Sequence, residues 1–196
     1  MGDFVENKIV NYIKNYNNSM SEDDESILRY GIQIYYFTIS KLVLIMALAI
    51  LLNVFWEVCA VTLLIGGLKK YAYGFHADTF WSCIIISVVN FFGIVYLAKL
   101  SFSPYAKILI ILISLIIFYL YAPADTEERP LVDAEERKKM KYKTIIIALM
   151  YCLVSLFVKE YLSNMIILSL MFVGFNTCPI PYKIFKKEYN NYEKYV

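Results

Sequence analysis

Residues 32–52 read IQIYYFTISKLVLIMALAILL, an apolar run broken by a single charge, Lys41. A helix rises about 1.5 Å per residue, so a run of this length covers the roughly 30 Å hydrocarbon core of a bilayer. Shorter runs follow at residues 54–68, 80–97, 108–122, 142–158 and 161–177. The fold class expected from this pattern is all-α: a polytopic integral membrane protein of about six transmembrane helices. Composition agrees, because 60% of the 196 residues are hydrophobic, against about 45–50% in soluble domains. The formal net charge is only +2, which gives no electrostatic reason to expect a nucleic-acid partner.

Residues 1–30 are polar and include Asp3, Glu6, Glu22, Asp23, Asp24 and Glu25. That is unlike a cleavable signal peptide, so the first apolar run reads as a retained span. Within this segment Val5, Ile9, Tyr12, Ile13 and Tyr16 share one helical face, which predicts an N-terminal amphipathic helix over residues 3–16. It either lies on the membrane surface or packs on the rest of the chain. Asp3 is a candidate N-cap with Glu6 three residues on, and Asn17-Asn18-Ser19 breaks the pattern. Ser21, followed by acids, predicts a second helix start running into the first span.

Further on, Pro104 marks a turn over residues 99–107, Pro123 ends the fourth span, and residues 124–143 read as a charged loop. Lys159-Glu160 forms a tight turn, and Pro179 and Pro181 stop the last span. The chain therefore reads as one domain, 1–196: a cytoplasmic or interfacial helical segment (1–30), a transmembrane core (31–178) and a basic cytoplasmic tail (179–196). Lys and Arg concentrate after spans two and four and in the tail. Six spans with both termini in the cytoplasm of a bacterial cell satisfy the positive-inside rule.

Residues 66–83 read GGLKKYAYGFHADTFWSC and hold the sole histidine, His76, seven residues before Cys83. Cysteine with histidine is the smallest pair able to run thiol-based acyl transfer, the base taking and later returning a proton. On a continuous helix the two would lie roughly 10 Å apart along the axis, whereas a base must come within about 3–4 Å of its nucleophile. A break is therefore required. Gly74 loosens the chain, and Asp78 or Thr79 is suited to cap a helix entering the membrane. Asp78 reads as that cap, as an imidazole orienter or as a solvated carboxylate. A helix N-terminus favours thiolate at Cys83, and burial among Phe80, Trp81 and Ile84 opposes it. Chemistry alone leaves a structural His–Cys neighbourhood and a catalytic one equally open.

Lys69 and Lys70 either bind an acidic substrate or mark topology. Cys59, Cys152 and Cys178 lie in or beside apolar runs with no histidine nearby, and read as small apolar packers. Lys41 either pairs with Glu57, lines a polar cavity or sits at an interface. No CxxC spacing supports a zinc site, a disulfide framework or a thiol–disulfide exchanger, and no cofactor is expected.

These residues resemble the AgrB family, membrane peptidases that process the autoinducing-peptide precursor of bacterial quorum sensing. The basic pair Lys69-Lys70, then Gly74, His76-Ala77 and Cys83, stand at the family's spacing. Tyr121-Ala-Pro-Ala-Asp-Thr-Glu-Glu-Arg-Pro130-Leu looks like the family's loop after the fourth span. The resemblance implies that Cys83 is the nucleophile and His76 its base, and that Gly74 is required for backbone shape. It makes Lys69 the counterpart of a functional basic residue that is usually Arg, although Lys lacks the planar fork that clamps a carboxylate. It further implies cleavage of an AgrD-like precursor through an acyl-thioester, closure of a thiolactone or lactone ring, and a homodimer in the lipid bilayer. A non-catalytic membrane module that binds or exports a peptide is the competing reading.

Overall fold

The computed structural model describes residues 2–16, 21–75, 80–126 and 130–195. Apart from isolated bridge residues such as Tyr73 and Ala124, the described regular structure is helical. The fold divides into two compact units, Met1–Asn53 and Val54–Val196.

The first unit contains α1 (Gly2–Tyr16) and α2 (Glu22–Leu51). Ser21 caps α2 as expected: its hydroxyl accepts the Asp24 N–H at 3.1 Å, and its own backbone N–H donates to the Asp24 carboxylate at 3.4 Å. This reciprocal box satisfies helix-end donors that otherwise have no partner. Asp3 is not a cap, because α1 already begins at Gly2 and places Asp3 in its first turn. The two helices run antiparallel. Arg29 donates to Asn7 at 2.7 Å, and Lys14 pairs with Glu25. On α1, Val10 is fully buried while Ile9 and Tyr12 stay exposed. Ser21→Ala is expected to cost about 1 kcal/mol. It should be read as faster hydrogen exchange at the Asp24 amide, with the exchange of α6 unchanged.

The second unit contains α3 (Phe55–Ala72), α4 (Phe80–Leu97), α5 (Pro104–Tyr121), α6 (Ala134–Phe157), α7 (Glu160–Thr177), α8 (Pro179–Ile184) and a 3-10 turn over Asn191–Lys194. Helices α2, α5 and α6 are each long and apolar enough to cross a membrane, and α4 is a shorter apolar helix. On α5 the exposed side chains include Leu109, Ile113, Ile116 and Leu120, a surface suited to lipid and costly in water.

Several boundaries differ from the sequence expectation. Pro104 does not sit in mid-turn; it is the first residue of α5, behind a Ser103 cap whose hydroxyl accepts the Ala106 N–H at 3.2 Å. Proline lacks only an N–H that has no intrahelical partner there, so this is its favoured helical position. The charged stretch 124–143 is not all loop. Asp133 caps α6, accepting the Glu135 N–H at 2.9 Å, and the helix runs on through Arg137, Lys138, Lys139, Lys141 and Lys143. Charge keeps a segment out of lipid but does not unmake a helix, since Glu, Lys and Arg are good helix formers. Likewise, Pro179 ends α7 but opens α8.

Helix α7 is the axle of this unit, packed against α3, α4, α5, α6 and α8. Its buried residues lie on every side and include Asn164, Ile166, Ser169, Leu170, Val173 and Asn176. Apolar side chains gain little by leaving lipid for protein, so close packing and interhelical hydrogen bonds must hold such a helix. Asn164 supplies one device: its amide donates to the carbonyls of Ala98 and Leu100, both at 3.0 Å, closing the open end of α4. Chain direction brings the C-terminal ends of α3, α5 and α7 together at the other end, beside Gly74, Ala124 and Asn176.

Candidate active site

Helix α3 stops because the backbone turns left-handed: Tyr73 has φ 56° and Gly74 φ 111°. The glycine is required twice over. Its φ strains an L side chain, and a Cβ there would lie 2.8 Å from the carbonyl oxygen of Asn176. The turn is held from two sides. Ala124 donates to the Ala72 carbonyl at 3.0 Å and accepts the Gly74 N–H at 2.9 Å, forming an isolated bridge with Tyr73. On the other side the Phe75 N–H donates to the Asn176 carbonyl at 2.8 Å. The Lys69 ammonium lies 3.5 Å from the Phe75 carbonyl and 5.9 Å from the Phe172 ring centre. Both peptide groups of Phe75 are therefore engaged, and the next residue is His76.

His76 and Asp78 lie outside the described residues, with Ala77 and Thr79. Residues 73–75 are not helical, while the break expected between His76 and Cys83 falls on those same undescribed residues. Cys83 sits in the first turn of α4, half-buried, between exposed Trp81 and buried Ile84. None of the four cysteines forms a disulfide. Cys178 is buried with its thiol 3.1 Å from the Phe175 carbonyl, as a packing residue would be. The two lysines separate: Lys69 is half-buried and turned to Phe75, whereas Lys70 is exposed and shares the Tyr71 ring with Lys143.

Sequence reasoning missed the support around this turn. Asp125 is 2% exposed, and its carboxylate accepts the N–H groups of Asn191 at 2.9 Å, Tyr192 at 2.8 Å and Leu131 at 3.4 Å. Tyr182 donates to the Asp125 carbonyl at 3.0 Å, and Tyr189 donates to the Tyr121 carbonyl at 3.3 Å. Arg137 donates to the carbonyls of Leu131 and Val132, with its guanidinium 4.0 Å from the Tyr192 ring centre. Burial pushes the Tyr182 and Tyr189 phenols well above the ordinary tyrosine value, and the neighbouring phenols and Asp125 add to it. Both therefore stay neutral donors across the physiological range. Of these residues Tyr121, Asp125 and Leu131 stand in the Tyr-Ala-Pro loop marked in the sequence; Tyr182, Tyr189, Asn191 and Tyr192 do not. Asp125→Ala strands two buried N–H donors, of Asn191 and Leu131, and the half-buried one of Tyr192, at about 1–3 kcal/mol for each buried group left unsatisfied. A fall in thermal midpoint of several degrees is expected by scanning fluorimetry in detergent, and an unchanged midpoint would contradict this account of the loop.

The accessory gene regulator B family model matches residues 6–177. An AgrB-like protein of Listeria innocua is 30% identical over 182 residues, covering 89% of this chain and 87% of its own. An AgrB-like protein of Clostridium acetobutylicum is 29% identical over 170 residues, covering 86% and 81%. The accessory gene regulator protein B of Staphylococcus carnosus is 27% identical over 154 residues, covering 78% and 80%. No solved structure matches.

Proposed function

The chain belongs to the accessory gene regulator B family, and on that premise we propose that it is a membrane-embedded cysteine endopeptidase and peptide cyclase. Its substrate is an AgrD-like precursor. Cys83 attacks the scissile carbonyl, the C-terminal fragment departs as an amine that takes a proton from His76, and the N-terminal part stays on Cys83 as an acyl-thioester. A thiol or hydroxyl within the peptide then attacks that carbonyl. Cys83 leaves, and the ring closes as a thiolactone or lactone.

One observation carries this reading. A half-buried cysteine in the first turn of α4 follows a turn whose backbone is fixed up to the residue before the sole histidine. Pinning a base near its nucleophile converts a rare encounter into a standing geometry. Ring closure must also outrun hydrolysis of the thioester, which favours a site sheltered from water. Six spans, with both termini and the site at the cytoplasmic face, fit the basic residues at this end of the second unit: Lys69, Lys70, Lys143 and Lys183.

Co-expression with the precursor tests the proposal. Mass spectrometry should find the cyclic product, and acid-quenched protein should carry the precursor's N-terminal part on Cys83, released by hydroxylamine. Transfer of uncut precursor across the membrane, with no adduct, would mark a peptide-binding or export module instead.

A further inference from the structure

We propose that Lys70, Tyr71 and Lys143 form a site for the headgroup of an anionic phospholipid, where the last turn of α3 meets the third turn of α6. The site is separate from the proposed peptidase chemistry. Lys69 and Lys70 part company at the end of α3: Lys69 turns inward to Phe75 and Phe172, whereas Lys70 is exposed. The Lys70 ammonium lies 5.6 Å from the centre of the Tyr71 ring, and the Lys143 ammonium lies 5.2 Å from the same ring. A ring face attracts a cation only modestly, and two ammonium groups gathered at one ring repel each other. No carboxylate offsets that repulsion. Neither lysine joins an ion pair among the described residues. The positions one helical turn away carry no acid either: Gly66 and Gly67 precede Lys70, and Lys139, Met140, Ile146 and Ile147 surround Lys143. The complement that this cluster lacks is an anion.

The surroundings select a lipid over a free ion. Lys141 lies 4.9 Å from the Tyr119 ring centre, and Tyr119 and Tyr142 are exposed. Lysines and tyrosines thus form a belt of the kind that sits at headgroup level. Beyond the belt the exposed surface turns apolar. Ile146 and Met150 stand three and seven residues after Lys143 on α6, and Gly66 and Leu63 stand four and seven residues before Lys70 on α3. Such spacings keep each pair on the face of its lysine. Ile146, Met150 and Leu63 are exposed, and Gly66 has nothing within 4 Å of a would-be Cβ. Helices α3 and α6 are neighbours here, joined by the Tyr151 hydroxyl, which donates to the Leu64 carbonyl at 3.1 Å. A phosphate at the two ammonium groups would therefore have its acyl chains running along an apolar strip kept shallow by Gly66. A basic site between two helices at headgroup level suits an anionic lipid, whereas a free phosphate gains nothing from the strip.

The test titrates the full-length protein in mild detergent with phosphatidylglycerol or, at matched acyl chains, zwitterionic phosphatidylcholine, and counts bound lipid by native mass spectrometry. Wild type should retain phosphatidylglycerol in preference to phosphatidylcholine, and raised salt should weaken that preference. Lys70→Ala and Lys143→Ala should each lower the affinity for phosphatidylglycerol about fivefold, the worth of one lysine at an anionic surface. Tyr71→Leu removes the ring that gathers the two cations and should lower it roughly two- to fivefold. Tyr71→Phe keeps the ring and should bind as wild type does. Lys99 is the control, a lysine that follows α4 and lies 4.7 Å from the Tyr96 ring centre with no second lysine on that ring; Lys99→Ala should leave retention unchanged. Equal retention of the two lipids by wild type, or a loss in Lys99→Ala as large as in Lys70→Ala, would show general surface charge and overturn the site. Displacement of the lipid by millimolar inorganic phosphate would mark a free-anion site and overturn the lipid assignment. Loss of binding to a synthetic acidic peptide in Lys70→Ala and Lys143→Ala, with phosphatidylglycerol retention unchanged, would give the pair to a peptide instead.

Discussion

Cys83→Ala should abolish release of the C-terminal fragment from the precursor, and His76→Ala should reduce it by about 10²–10⁴-fold, the usual worth of a positioned general base. The two losses should not add. Once the nucleophile is gone the base has nothing to activate, so the double variant should match Cys83→Ala alone. The other thiols are useful controls because none of the four cysteines forms a disulfide. Cys59 lies on α3, away from the turn at Gly74, and Cys59→Ala should retain activity. The measurement is fragment release from synthetic precursor by the protein in liposomes, followed by chromatography. Processing that survives in both Cys83→Ala and His76→Ala would sink the enzyme.

Gly74→Ala is the second large effect. A Cβ at Gly74 would stand 2.8 Å from the Asn176 oxygen and 3.1 Å from its carbonyl carbon. Neither is the yielding end of a flexible side chain. The backbone also sits at φ 111°, and a non-glycine residue held in such a region costs about 1–3 kcal/mol. Relief requires moving either Asn176, which accepts the Phe75 N–H, or Gly74, which donates to Ala124. Both movements displace the chain just ahead of His76. Product formation should fall by roughly 10²-fold, and the thermal midpoint should drop as well. Gly66→Ala is the matched control: it lies within α3 with nothing within 4 Å of its would-be Cβ. It should be neutral or stabilise by up to about 1 kcal/mol. Equal behaviour of the two variants would show that the turn does not need its glycine.

Gly74 was legible before any coordinates, as was the helix start at Ser21. In both cases residue type and conformation are tied together locally: only glycine takes the backbone angles of that turn cheaply, and a serine hydroxyl three residues from an acid closes on its own helix end. The apolar runs were equally legible, because a membrane span is a property of consecutive side chains. Their ends were not always so. The first turns of α6 were read as loop since their charges speak of solvent, while helix formation there depends on Asp133 and on the absence of breakers.

Sequence by itself thus determined an all-helical membrane chain, a glycine at the turn that ends α3, and the residue types able to perform acyl transfer. Only the tertiary structure decided what holds that turn in place. The Asp125 carboxylate finds amides 66 and 67 residues away in the tail. The Asn176 carbonyl meets Phe75 across the bundle, and Phe185 folds back onto the Phe75 ring. Those partners are largely main-chain groups, which every residue carries alike. No spacing or residue type announces them, and they exist only once α7 has been packed among its neighbours.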